Sequence, residues 1–340
     1  MSVTGHPSNA SRARRVAVLG GTGTIGRATV RALVSRGHDV VCFVRHRADL
    51  DDPSAPPART RLPTGATARV VDVTDPSSLA DAGFRGEPFD VLVSCLASRT
   101  GLPDDAWAID YQAHVSALHA GKAAGVTHVI LLSAICVQKP RLAFQHAKLA
   151  FEGVLVQSGL DYTIVRPTAF FKSLSGQIDR LKRGKSFLIF GDGRLTSCKP
   201  ISDDDLGHYI ADCLDHADRR NRVLPIGGPG EAVTPKAQGE QLFALLGRKA
   251  RFTHVPLALL DAIIATLTVL GRLAPALAAK AELARIGRYY ATESMLVLDP
   301  ATGQYDAHAT PSTGSETLFA YYARVIRGEA AAERGDHAVF

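Results

Sequence analysis

The chain has 340 residues, 39 Lys and Arg against 33 Asp and Glu, a formal charge of +6 and a hydrophobic share of 46%. So apolar a chain buries a sizeable core, which excludes intrinsic disorder, and at about 150 residues per domain it holds two domains or one large α/β domain with an appendage. Half of the surplus charge is Arg12, Arg14 and Arg15, in an N-terminal stretch without acids, and the +3 left for the rest of the chain is not a phosphate-tracking surface; no nucleic-acid partner is expected.

Met1–Arg15 lacks the apolar run of a secretory signal and is very short for a transit peptide, so it reads as the frayed tail of a bacterial cytoplasmic protein. From residue 16 to 166, short β-branched runs alternate with helical stretches. The predicted strands are Val16–Leu19, Asp39–Val44, Ala68–Val71, Asp90–Ser94, His128–Leu132 and Tyr162–Val165, with helices near Ile25–Arg36, Asp104–Ala124 and Leu142–Gln157. Nearly continuous apolar strands in repeated βα units predict a doubly wound, Rossmann-type α/β fold with a parallel sheet covered on both faces. Ala48–Pro63, rich in Pro, Asp and Arg, reads as a surface loop. After Arg166 the pattern turns mainly helical, near Phe170–Arg183, Asp203–Asp215, Pro235–Leu246 and Pro256–Leu273, with a short strand at Phe187–Phe190. Residues 167–328 are therefore expected to form a smaller substrate-binding lobe interleaved with the last strands of the sheet, and 329–340 a frayed end.

The first strand runs into Gly20-Gly21-Thr22-Gly23-Thr24-Ile25-Gly26 and then a helix. Glycines at 20, 23 and 26 let the chain turn tightly and bring backbone N–H groups to a dinucleotide pyrophosphate at the helix N-terminus, and the strand–loop–helix context lifts the motif above a structural turn. Nineteen residues after Gly26 stands Arg45, with Arg47 beyond it. An NAD site would place an acid there for the ribose hydroxyl, whereas arginine suits the 2′-phosphate of NADPH. Asp72, after the third strand, is a candidate for the adenine and equally for an Asx turn.

Cys42, Cys95, Cys136, Cys198 and Cys213 are odd in number and contain no CxxC pair, which argues for a reducing compartment and against a disulfide framework, zinc or an iron–sulfur cluster. Phe144, Lys148, Phe151 and Leu155 share one helical face. A lysine in an apolar stripe either snorkels or finds a polar partner. Ser133 ends the fifth strand, at the sheet edge where such folds bind ligands.

Ser133 with Lys148 resembles the catalytic arrangement of the short-chain dehydrogenase/reductase superfamily. There a Tyr-x-x-x-Lys pair does the chemistry and the lysine also holds the nicotinamide ribose. This chain departs from that pattern, because the tyrosine position is Phe144. Phenylalanine donates no proton to a nascent alkoxide, so carbonyl reduction through that residue is disfavoured. The segments LLSAICVQKP (Leu131–Pro140), FQHAKLAFE (Phe144–Glu152), RPTAFFKSLSGQ (Arg166–Gln177) and FGDGRLTSCKPIS (Phe190–Ser202) resemble the NADPH-dependent divinyl chlorophyllide 8-vinyl-reductase family over roughly residues 16–325.

The resemblance implies reduction of a vinyl group to ethyl on a tetrapyrrole, the divinyl chlorophyllide, in chlorophyll or bacteriochlorophyll synthesis, with NADPH as cofactor and the magnesium belonging to the substrate. A conjugated alkene accepts hydride without a carbonyl oxygen to protonate, so the absence of the tyrosine fits. Candidate proton donors are Lys139, His146, Cys198 and Lys199; either lysine is an alternative partner for the pigment's propionate. A non-catalytic NADP(H)-sensing regulator or assembly factor of the same superfamily is the competing reading, and reduction of another conjugated double bond a third. Ala262–Gly271 is uncharged, flanked by Asp261 and Arg272, and too short to span a bilayer. It reads first as a buried helix, and alternatively as a lid or an interfacial helix contacting the photosynthetic membrane.

Overall fold

The computed structural model describes residues 12–45 and 62–330; Arg47 and nearly all of the Ala48–Pro63 stretch fall outside them. The strands are β1 (Arg15–Leu19), β2 (Asp39–Val44), β3 (Ala66–Val70), β4 (Val91–Ser94), β5 (His128–Leu132), β6 (Asp161–Pro167), β7 (Phe187–Phe190), β8 (Arg222–Ile226) and β9 (Phe252–Val255). Seven of them form one sheet in the order β3-β2-β1-β4-β5-β6-β8, parallel at every pairing. The strand order reverses between β1 and β4, and the crevice beyond their C-terminal ends is where a doubly wound sheet receives its ligand.

Both sheet faces are covered because both faces of its central strands are apolar: β1, β4 and β5 are buried throughout their apolar runs. On one face lies helix α1 (Thr24–Ser35), with the helix Asp203–Asp212 crossing it so closely that a methyl on Gly207 would stand 2.6 Å from the Ala28 carbonyl carbon. On the other lie α2, running from Pro103 through a wide-turned π segment Trp107–Ala113 to Ala123, and α3 (Ala143–Val156). Gln145 fixes the start of α3, its side-chain oxygen accepting from the backbone N–H groups of Arg141 and Leu142. Burying so many Val, Leu and Ile side chains, at about 1.5–3 kcal/mol each, holds the sheet.

Three local expectations change. Arg14 and Arg15 belong to the fold: Arg15 opens β1 and pairs with Asp39 and Glu87, and Arg14 donates to the Leu214 carbonyl. The helix expected over Phe170–Arg183 is two short pieces, Phe171–Leu174 and Ile178–Lys182, broken where Ser175 turns its hydroxyl back to the Phe171 carbonyl. The sheet's last strand, β8, was not among the expected strands; like β3 at the other edge it lacks the unbroken apolar run of the central strands, because it is an edge strand with a half-exposed face.

The lobe has its own core, Phe171, Ile178, Phe187, Leu242, Phe243 and Tyr322 among its members, around the two-stranded β7–β9 sheet. A hairpin of two helices, Leu257–Gly271 and Pro275–Thr292, completes it. The first of these has no buried residue, which corrects the expectation of a buried helix over Ala262–Gly271. Its apolar side chains outnumber what one partner helix covers: Leu259 and Val269 are 52% and 60% exposed, and Leu273, in the turn that follows, is 87% exposed. Among the described residues no helix is long and apolar enough to cross a membrane.

Candidate active site

The glycine loop joins β1 to α1. Gly20 has a φ of +71°, and a methyl there would stand 2.6 Å from the Cys95 carbonyl; a methyl on Gly26 would stand 2.0 Å from the Gly20 oxygen. These two positions require glycine for the turn and for close packing of helix on strand. Gly23 differs. It is exposed and is the N-cap of α1, where no side chain closes the first turn, and a methyl there would meet only the Gly20 oxygen, at 3.3 Å. The bare N-terminus of a twelve-residue helix thus faces outward with its N–H groups and positive dipole end available to a pyrophosphate. Thr22 and Thr24 flank it, and Ile25 turns inward to the core. Lys172, from the lobe, donates to the Thr24 hydroxyl at 2.8 Å and adds a cation at this mouth; the sequence reading missed it.

Arg45 follows β2 and is exposed. Asp72 lies in the Asx turn that was its alternative reading: one carboxylate oxygen accepts from the Thr74 N–H at 2.9 Å and the Thr74 hydroxyl at 2.6 Å, and these bonds hold its pKa below the usual carboxylate value.

At the C-terminal ends of β4, β5 and β6 the loops open on a cavity of about 440 Å³, roofed by β7, the segment 193–198 and the second hairpin helix. Ser133, Phe144, Lys148 and Cys198 all line it. Lys148 does not snorkel. Its ammonium donates to the Asp110 carboxylate at 2.9 Å, and that carboxylate is wholly buried and accepts also from the Ser98 hydroxyl at 2.6 Å. Burial pushes the Asp110 carboxyl up, but the Lys148 charge and the Ser98 and Lys148 hydrogen bonds prevail and hold it below the usual range. One of three ammonium donors is thereby committed, leaving the lysine fixed and charged at the cavity wall. The π segment of α2 carries Asp110; such wide turns recur at functional sites.

Ser133 donates to Glu152, and Glu152 pairs with Arg166, so this serine is held by a buried carboxylate one helical turn beyond Lys148. The only sign of Asp110 and Glu152 in the sequence is an acid within an apolar helical stretch. Cys198 is buried, its thiol pushed up to about 12 by burial.

Three proposed proton donors lie elsewhere. His146 is exposed on α3, on the helix side away from Lys148. Lys139 pairs with Glu293 at 2.7 Å. Lys199 donates to the Thr310 carbonyl at 3.0 Å and the Ser312 hydroxyl at 3.3 Å. None of the three lines the cavity; both lysines neutralise or satisfy groups of the C-terminal segment instead. One tyrosine that the sequence did not single out does line it: Tyr290, on the second hairpin helix and 42% exposed.

Residues 20–217 match a family described as NAD(P)H-binding. A protein of Oryza sativa subsp. indica named divinyl chlorophyllide a 8-vinyl-reductase, chloroplastic, is 50% identical over 96% of this chain and 82% of its own length. A protein of the same name from Cucumis sativus is 48% identical over 96% and 79%. The chain belongs to the divinyl chlorophyllide a 8-vinyl-reductase family. It is an oxidoreductase with an NAD(P)H-binding domain. Membership overturns the expectation of a bacterial cytoplasmic location, because both relatives are named as chloroplastic plant proteins. The photosystem II assembly factor Ycf39 of Synechocystis, by contrast, is 25% identical over 72% of each chain. Among solved structures, an NADPH-complexed quinone oxidoreductase, QOR2 of Escherichia coli, superposes with a TM-score of 0.62 at 19% identity, covering 92% of this chain and 99% of its own, a likeness of fold.

Proposed function

We propose that the chain reduces the C8 vinyl group of a divinyl chlorophyllide or protochlorophyllide to ethyl, using the cavity beside Lys148. The observation that carries the reading within the site is Phe144: the wall that holds a proton-donating phenol in carbonyl reductases of this superfamily is hydrocarbon here, next to a retained lysine. A conjugated vinyl group has no oxygen for that phenol to serve.

The open N–H groups at the start of α1, with Gly20, Thr22, Gly23, Thr24, Ile25 and Gly26 shaping the loop, hold the pyrophosphate, and Lys172 supplies its counter-charge. Arg45 meets the 2′-phosphate. Lys148, kept in place by Asp110, holds the nicotinamide ribose, and Ser133, fixed by Glu152, orients the ring beside it. Asp72, through its second carboxylate oxygen, is the remaining candidate for the adenine. NADPH supplies a hydride to the terminal vinyl carbon when bound. Excess electron density passes into the macrocycle, and the inner carbon takes a proton. Neutral thiols at the half-buried Cys95 and the buried Cys198, pushed up to about 11 and about 12, keep the wall uncharged for a flat apolar pigment.

The exposed hairpin fits a lipid surface. Leu259, Val269 and Leu273 face outward, Arg272 and Lys280 suit anionic headgroups, and the second helix carries Ile286, Gly287 and Tyr290 into the cavity wall, so a membrane-partitioned pigment reaches the site from that side. Purified protein with NADPH and divinyl chlorophyllide tests the reading. It predicts a product heavier by two hydrogens; NADPH binding with the pigment unchanged would favour the cofactor-sensing alternative.

A further inference from the structure

Four tyrosines of the lobe and its junction with the sheet have contrasting partners. Tyr289 donates its hydroxyl to the Cys136 and Lys139 carbonyls at 2.9 and 3.0 Å, Tyr305 to Glu293 at 2.8 Å and Tyr322 to the Leu174 carbonyl at 2.7 Å. Each of these phenols is a structural tie. Tyr290 makes no comparable bond: its hydroxyl meets the Cys136 thiol at 3.9 Å, a weak contact, and its side chain lines the cavity and is 42% exposed.

It shares the cavity with Phe144 and Lys148 but comes from a different helix. Ile286, one turn before Tyr290, converges with Phe144 on Gly101, where a methyl would stand 3.1 Å from the Ile286 Cδ1 and 3.6 Å from the Phe144 Cδ1. Cys136, which Tyr290 touches, feels the Lys148 charge, and Phe144, Ile286 and Cys136 share one apolar cluster. Tyr290 therefore stands at the end of the cavity that holds Phe144 and Lys148.

We infer that Tyr290 is the proton donor for vinyl reduction, its phenol replacing, from a different helix, the hydroxyl that position 144 lacks. This rests on the vinyl-reductase reading. The balance is as follows: the π bond of the vinyl group breaks, the terminal carbon takes a hydride as NADPH becomes NADP⁺, and the inner carbon takes the proton as the Tyr290 O–H bond breaks. The phenolate left behind regains its proton from solvent through the open side of the cavity. A phenol stays protonated through neutral pH and gives up its proton only to a strong carbon base. Cys198, the alternative on the same wall, is 6% exposed and turns its thiol to the Val233 carbonyl at 3.8 Å.

Tyr290→Phe keeps the ring and its edge-on contact with Tyr289. Turnover is expected to fall by about 10²–10⁴-fold, the usual span for a lost general acid, with the dissociation constants of NADPH and pigment unchanged. A more acidic fluorinated tyrosine placed at 290 keeps the donor and moves the alkaline limb of the turnover profile to lower pH. Turnover by Tyr290→Phe within about threefold of the parent, or an alkaline limb that the fluorinated residue leaves in place, overturns the proposal. Failure of the parent enzyme itself to convert the pigment overturns the vinyl-reductase reading instead, so the two failures are distinguishable.

Discussion

The glycine loop and the helical hairpin use the chain in opposite ways. At Gly26 one added methyl would stand 2.0 Å from backbone, whereas along Leu257–Gly271 no side chain is buried at all. In the proposed function the loop binds through backbone N–H groups, Gly20 and Gly26 leave no room for a methyl, and its seven residues are contiguous. The hairpin acts through side chains that its own packing leaves free: apolar ones outward, Tyr290 inward. One region is fixed by what cannot fit and the other by what is left uncovered.

That contrast can be broken at several points. The largest effect is expected at Lys148, on the cavity wall. Lys148→Met leaves the Asp110 carboxylate buried without its cation and is expected to destabilise the fold by about 3–5 kcal/mol; Asp110→Asn in the same chain restores much of that by denaturant titration while activity stays lost. Next comes acid. Burial lowers His114 and His128 to about 4, so the unfolded chain binds more protons than the folded one between about 6.5 and 4. Stability is full above that window and falls as pH drops through it, by up to about 3 kcal/mol for each histidine. Denaturant midpoints across this range, flattened in His128→Val, check the sign.

Gly26→Ala pushes a methyl into the Gly20 oxygen; about 1–3 kcal/mol of stability is expected to go, and NADPH binding with it, as fluorescence titration would read. Lys172→Met is milder, a rise of about tenfold in the NADPH dissociation constant with the pigment's unchanged. The smallest effect on stability is expected in the hairpin. Exchanging Leu259, Val269 and Leu273 for serine changes it by less than about 0.5 kcal/mol each, yet abolishes flotation with anionic vesicles. A large loss of stability there would erase the distinction between the two regions.

How much of this was legible in the sequence follows the same division. The strands from β1 to β6, the three helices α1, α2 and α3 and the glycine loop were readable because each is a local pattern: a β-rich run, a helical stripe, three glycines at fixed spacing. Lys148 was readable as an anomaly on an apolar face, but its partner Asp110 lies 38 residues upstream, and nothing local joins them. Lys139, His146 and Lys199 were attractive for their chemistry alone; the fold ties the two lysines to the C-terminal segment and turns the histidine to solvent. Tyr290 sits in a helix with no motif, and only the folding of the hairpin over the sheet edge brings it to Phe144's end of the cavity. The uncharged stretch at 262–271 carried two readings that composition cannot separate, since a buried helix and an interfacial one share the same residues.

Isotope placement tests the chemical core of the account most directly. With NADPH deuterated at the transferred position, reduction of divinyl chlorophyllide in ordinary water should place deuterium on the terminal carbon of the new ethyl group; with ordinary NADPH in heavy water, deuterium should appear on the inner carbon. Deuterium from the cofactor on the inner carbon, or none from it in the product, would contradict hydride delivery to the vinyl terminus.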